Sequence, residues 1–268
     1  MFFVLLELLF TIGYASLFYF LIDLSSWYLF LWIPLGFILG LVSLVIFIYL
    51  FLFFGSITKN KSGRFRHFIL RNAVWIAMKV FHVKLVIENK EYIPQNETYV
   101  VYSNHKSNMD PMFIYYAIHH RKITAVGKKT LFTNHFMNML GKTFGAISID
   151  RDNDREAAKT MVKAIGDVKR GTSMIIFPEG GIKTREKEEM VNLRAGAYKL
   201  AMKPGVKILP VAIIGSSQIS KKRRIQKKVI KLIFNQPISK EEYEGLNTTE
   251  VGEKVESIIN KEILENEK

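Results

Sequence analysis

The chain contains no cysteine. That absence excludes disulfides, thiolate zinc sites and a cysteine nucleophile, and it suits a reducing compartment. Charge is the second shortage, and it is local: residues 1–54 carry Glu7 and Asp23 but no Lys or Arg. All 38 basic residues, and the net charge of +14, therefore belong to the rest of the chain. A field of that strength suits nucleic acid, anionic lipid or an acidic carrier protein, and charge alone does not choose among them. The basic run Lys221–Lys231 has no aromatic residue interleaved, which argues against a single-stranded nucleic-acid platform. His, Asp and Glu do not gather at ligand spacing, so no metal site is expected.

In place of charge, the N-terminal part has two long apolar runs, Phe2 to Ile22 and Tyr28 to Phe54. Each exceeds the ~20 residues that cross a hydrocarbon core. The first lacks a basic leader and is followed at once by the second, so a membrane hairpin is expected rather than a cleaved signal. Gly36 and Gly40 stand at helix-packing spacing. Lys59, Lys61, Arg64 and Arg66 follow the second run, and the positive-inside rule places the remainder on the cytoplasmic face of the membrane. Residues 63–82 mix Arg64, Arg66, Arg71 and Lys79 with Phe65, Phe68, Trp75 and Phe81, the pattern of an interfacial or sheet-covering helix.

From Val83 onward, short β-rich runs alternate with helical patterns. Strands are expected at 83–88, 98–102, 123–126, 146–149, 173–177, 208–214 and 229–234, and helices near 110–120, 131–140, 153–170, 187–203 and 248–265. This rhythm predicts an α/β fold, a central mostly parallel or mixed sheet flanked by helices, behind an N-terminal two-helix membrane hairpin. The expected division is an anchor over 1–56, an amphipathic linker over 57–82 and an α/β domain over 83–268.

The chemistry concentrates in Asn104-His105-Lys106-Ser107-Asn108-Met109-Asp110, between a buried strand and a helix that Pro111 opens. On a regular helix, a spacing of five sets side chains roughly 140° apart, so His105 and Asp110 would not meet. They meet if His105 lies on the loop leaving the strand and Asp110 begins the helix, a position that Asp before Pro favours. The pair is then a candidate general base with its orienting carboxylate, although a strand-end His and an Asp-Pro helix cap each have an ordinary structural reading. Ser107 reads as a cap rather than a nucleophile.

Three further strand ends carry polar groups. Phe177-Pro178-Glu179-Gly180-Gly181 offers two glycines whose N–H groups can face an anion, or simply a turn. Ile149-Asp150-Arg151 offers a planar guanidinium for phosphate, or a surface pair with Asp150 or Asp152. Gly127-Lys128-Lys129 offers two lysines to a phosphate or to the arm of a thioester carrier.

Four blocks in this order resemble the bacterial 1-acylglycerol-3-phosphate acyltransferases of the glycerolipid acyltransferase superfamily. They are Asn104–Asp110, Gly127 to Arg151, Phe177–Gly180 and Leu209–Ile213, and the likeness covers roughly residues 80–235. This chain departs from the pattern at Thr130, where Glu is usual, at Asn134-His135, where Pro is usual, and at Gly181-Ile182-Lys183, where Thr-Arg-Ser is usual. Lys183 and Arg185 are candidates to replace the arginine expected at 182.

The resemblance implies acyl transfer from a thioester, acyl carrier protein or coenzyme A, to the 2-hydroxyl of a lysophosphatidate. It implies His105 as base, Asp110 as its orienting group, and no cofactor beyond the donor. Lys128, Arg151 and Glu179 are then expected to hold the acceptor head group, and backbone N–H groups at Gly180 and Gly181 to hold the oxyanion. The partners implied are lysophospholipid, membrane lipid and an acyl carrier protein as one candidate donor, without nucleic acid. A related enzyme taking glycerol 3-phosphate or another lysophospholipid, a non-catalytic basic membrane tether and a metal-dependent hydrolase are the alternatives.

Overall fold

The computed structural model describes every residue except 23–28, 59–62, 119–121, 151, 222, 224 and 267–268. The connection between the apolar runs, Lys59, Lys61 and Arg151 thus lie outside the described residues.

The two apolar runs form α1 (Phe2–Ile22) and α2 (Leu29–Ile57). Both are apolar all round and most of their large side chains are exposed, the pattern of helices that meet lipid rather than a protein core. Each is long and apolar enough to cross a membrane. They pack against each other through their glycines. A Cβ on Gly36 would lie 2.8 Å from the Thr11 carbonyl oxygen, and one on Gly40 would lie 2.6 Å from Glu7 Oε1. Two interlocking rings, Phe18 and Trp32, stack at 5.2 Å.

After α2 come α3 (Arg64–Val80), β1 (Val83–Glu88), β2 (Tyr99–Ser103), α4 (Asp110–Ala117), β3 (Ile123–Lys128), α5 (His135–Phe144) and β4 (Ile147–Ile149). The chain continues through α6 (Asp154–Lys169), β5 (Ser173–Ile176), α7 (Lys199–Met202), β6 (Lys207–Ile214), α8 (Gln218–Lys221), β7 (Lys228–Phe234) and α9 (Thr248–Asn266). Among the described residues, seven strands make one sheet in the order β1-β7-β6-β2-β5-β3-β4. Pairing is parallel except between β6 and β7. The carboxyl ends of β2 to β6 therefore share one edge, where sites gather on such sheets.

Period-two alternation sends the strand side chains to two cores. On one face, Val100, Tyr102, Met174 and Ile176 meet α6, α7 and α9; on the other, Tyr99, Val101, Ile175 and Phe177 meet α3 and α4. The central strands are buried on both faces, as parallel strands between helical layers must be. α3 belongs to the second layer, burying Ile69, Val74 and Met78.

Two expected helices differ. The pattern at 131–140 resolves into a 3-10 turn at Lys129–Phe132 and then α5, because the Asn134 side chain accepts the Met137 N–H and restarts the helix. α5 ends at Gly145, whose φ of 71° lets Ala146 N–H return to the Gly141 carbonyl. The expected helix 187–203 is helical only from Ala195. Upstream, the Met190 N–H donates to Asn260 Oδ1 and the Glu188 carbonyl accepts from Asn104, so tertiary partners take the groups a helix would use internally.

The hairpin's packing is testable. Gly36→Leu drives a side chain into backbone atoms that cannot yield and is expected to lower stability by about 1–3 kcal/mol. Gly13→Leu, whose Cβ meets nothing within 4 Å, is expected to be neutral. Thermal unfolding of the two variants in detergent compares them.

Candidate active site

β2 delivers Asn104 and His105 to the carboxyl edge, and three hydrogen bonds fix Asn104 there. Its amide donates to the carbonyls of Ile213 (2.7 Å) and Glu188 (2.8 Å), and its oxygen accepts the Ile213 N–H (2.8 Å). The chain then folds back. Asp110 opens α4, and its Oδ2 accepts from His105 Nδ1 at 3.0 Å and from the backbone N–H of Lys106 and Ser107, each at 2.8 Å. One carboxylate oxygen thus closes the five-residue loop onto the ring it orients. Asp110 is fully buried and the His105 side chain is 14% exposed. With the Nδ1 proton directed at Asp110, Nε2 keeps the lone pair of a base.

β5, the neighbour of β2 in the sheet, supplies the other wall. The Phe177 ring stacks on the His105 ring, centroids 4.1 Å apart. Glu179 Oε1 accepts the His105 backbone N–H at 2.8 Å, and Oε2 accepts from Lys106 Nζ at 3.1 Å. Both side chains of this ion pair have no exposure. Burial pushes the Glu179 carboxyl above its usual range, while the Lys106 ammonium and the His105 N–H pull it back.

This placement corrects the expected role of Glu179. A lipid hydroxyl does not reach a carboxylate with no exposed surface whose two oxygens already bind the His105 loop. Glu179 braces the histidine. Gly180 also differs: its N–H donates to the Phe177 carbonyl at 3.0 Å, which commits it to a turn rather than to an oxyanion. Its φ of 73° and the Arg194 Nε that would lie 2.7 Å from a Cβ explain the glycine. Gly181 follows at φ 147°. Ser107 Oγ accepts the Met109 N–H at 3.2 Å within the loop, but the N-cap position of α4 is Met109, so the serine is not the helix cap expected of it.

Lys128 ends β3, two strands from β2 in the sheet order β2-β5-β3, so its backbone lies about 10 Å along the edge from the histidine's strand. Its ammonium is 3.7 Å from Asp152 Oδ2, and both side chains are well exposed. Neighbouring Lys129 pairs with Asp150, whose carboxyl it holds below the usual range. Lys183 and Arg185 are exposed. Arg151 lies outside the described residues.

Sequence reasoning missed Lys106, Asn104 and Phe177. A lysine just past a strand reads as solvated, and its burial follows only once β2 and β5 are known to be neighbours.

Comparison with known proteins shows what the whole chain is similar to. A family model described as Acyltransferase matches residues 84–214. The chain is 30% identical over 180 residues to the 1-acyl-sn-glycerol-3-phosphate acyltransferase of Haemophilus influenzae, covering 65% of this chain and 73% of that one. It is 29% identical over 214 residues to a probable 1-acyl-sn-glycerol-3-phosphate acyltransferase of Mycoplasma pneumoniae, 75% of this chain and 79% of that one. The crystal structure of the 1-acyl-sn-glycerophosphate acyltransferase PlsC from Thermotoga maritima superposes with a TM-score of 0.68 at 20% identity, over 82% of this chain and 88% of that one. The shared fold is that of a mixed α/β sheet flanked by helices.

The buried pair has a measurable signature. Lys106→Met strands the Glu179 carboxylate and is expected to destabilise by about 3–5 kcal/mol, and adding Glu179→Gln is expected to restore most of it. Denaturant unfolding of the single and double variants in detergent reads the coupling.

Proposed function

The chain belongs to the 1-acyl-sn-glycerol-3-phosphate acyltransferase family and is an O-acyltransferase, and from that premise we propose its reaction. It moves a fatty acyl group from a thioester, carried by acyl carrier protein or coenzyme A, to the 2-hydroxyl of 1-acylglycerol 3-phosphate. The product is phosphatidic acid, made at the cytoplasmic face of the membrane that holds α1 and α2. The observation that carries this reading is the His105 Nδ1–Asp110 contact at a partly open strand end.

The steps balance without a covalent enzyme intermediate. The lipid hydroxyl oxygen attacks the thioester carbonyl carbon while Nε2 of His105 takes the hydroxyl proton, and Asp110 supports the imidazolium that forms. The tetrahedral oxyanion collapses, the carbon–sulfur bond breaks, and the thiolate takes the proton back from His105. The Gly181 N–H is the backbone donor proposed for the oxyanion. Lys128 and Arg151 are proposed to meet the acceptor phosphate, and Arg194, beside Gly180, supplies a cation in place of the arginine absent at 182. No cofactor other than the acyl donor enters these steps.

An apolar cavity of about 570 Å³ lies between α6 and the turn before α7, lined by Ala157, Met161, Ile165, Ile176, Phe177 and Gly196 among others. Because Phe177 also stacks on His105, a chain seated there has its carboxyl end beside the base. We assign the acyl group to this cavity.

Two measurements test the proposal. In membrane fractions given labelled acyl thioester and lysophosphatidate, His105→Ala is expected to lower turnover ~10²–10⁴-fold, while Ser107→Ala keeps most of it; a silent serine variant with an active histidine variant would sink the mechanism. A Cβ at Gly196 meets nothing within 4 Å, so Gly196→Leu is expected to fill the cavity mouth and shift preference toward shorter acyl chains, read by competing donors of different length.

A further inference from the structure

The basic run before β7 remains unexplained by acyl transfer. Lys228, where the run enters β7, behaves unlike Lys221, Arg223 and Lys227. Lys228 is fully buried, and its ammonium donates to the carbonyls of Phe81 (3.0 Å), Arg223 (2.9 Å) and Gln226 (2.9 Å). The Lys228 N–H donates to the His82 carbonyl at 2.9 Å. One lysine therefore ties the loop to the end of α3. Arg223 and Gln226 are tied to each other: Gln226 N–H donates to the Arg223 carbonyl (3.0 Å), and Arg223 N–H donates to Gln226 Oε1 (2.9 Å). This built turn presents Ile225, which at 77% is the most exposed large hydrophobic residue outside α1 and α2 among the described residues. Lys221, Arg223 and Lys227 stand exposed beside it; Lys222 and Arg224 lie outside the described residues.

α3 links this turn to the hairpin. Phe65 packs on Phe51 of α2, Phe68 on Phe2 of α1, and Asn72 Oδ1 accepts the Phe2 N–H at 3.2 Å. Phe2 in turn contacts Phe47 of α2. α3 therefore packs across the end of the hairpin at which α1 begins. Phe81 lies nine residues beyond Asn72, about 14 Å further along at 1.5 Å per residue. The turn also joins the carboxyl end of β6 to β7, placing it on the same sheet edge as His105.

We propose that the Arg223–Gln226 turn is a second membrane contact, with Ile225 entering the interface and Lys221, Arg223 and Lys227 resting on anionic head groups. An exposed aliphatic tip ringed by cations suits a negatively charged lipid surface, where charge attracts and the apolar side chain inserts. The contact holds the catalytic edge flat against the bilayer at a point the hairpin does not reach. It does not depend on which acceptor or donor the enzyme uses.

The absence of native cysteine makes the test direct. The full chain carrying Ile225→Cys, labelled with a nitrobenzoxadiazole dye, is reconstituted into phosphatidylcholine vesicles with and without phosphatidylglycerol. The expected result is blue-shifted emission, quenched by spin-labelled lipid, in the anionic vesicles only. Each of Lys221→Gln, Arg223→Gln and Lys227→Gln is expected to lower the inserted-to-free ratio about fivefold. Dye placed by Ser257→Cys on α9, an exposed position, stays in water throughout. The proposal is overturned if the label at 225 reports water in both vesicles, if it inserts equally without anionic lipid, or if it responds only to an added acidic carrier protein.

Discussion

Asp110 Oδ2 is the atom on which the site depends. It gathers an imidazole N–H and two consecutive backbone N–H groups, so loop shape and histidine orientation are one constraint. Placing that carboxylate at the first residue of α4 adds the favourable end of a helix dipole. A change that loosens Asp110 therefore alters the backbone and the imidazole together.

The second support reaches in from the adjacent strand. Because β2 and β5 are parallel neighbours, both release their loops at one edge, and Glu179 can bridge to the His105 N–H and to Lys106 across that seam. A buried Lys–Glu pair is weak evidence for stability, since desolvation offsets much of the attraction. Its more direct effect is on position. The pair ties the loop after β2 to the loop after β5, beside the His105–Phe177 stack.

Much of this was legible in the sequence. The β1 span matched at both ends, the other strands matched within two residues, and the His-to-Asp spacing excluded a shared helix in favour of the loop-and-cap arrangement observed. What escaped was decided by distant partners. Residues 187–194 carry a helical pattern, yet Asn104 and Asn260 claim their backbone groups. The family resemblance implies a substrate role for Glu179; its burial follows from the insertion of β5 between β2 and β3, an order that local pattern does not encode. Lys106 is the same case seen from the other strand.

The two cores give the reaction a geometry. The hairpin and α3 pack on the face of the sheet that carries α4, with Thr143 of α5 donating to the Leu52 carbonyl of α2. The apolar cavity opens on the opposite face, against α6. In the proposed reaction, an acceptor drawn from the bilayer and an acyl chain seated in the cavity would approach from different sides of one sheet. They can react only at an edge common to both, and the His105–Phe177 stack stands at that edge. A parallel sheet supplies such an edge at no extra structural cost, because every strand that carries a motif ends there. The order of the blocks along the chain then matters less than the direction of the strands beneath them.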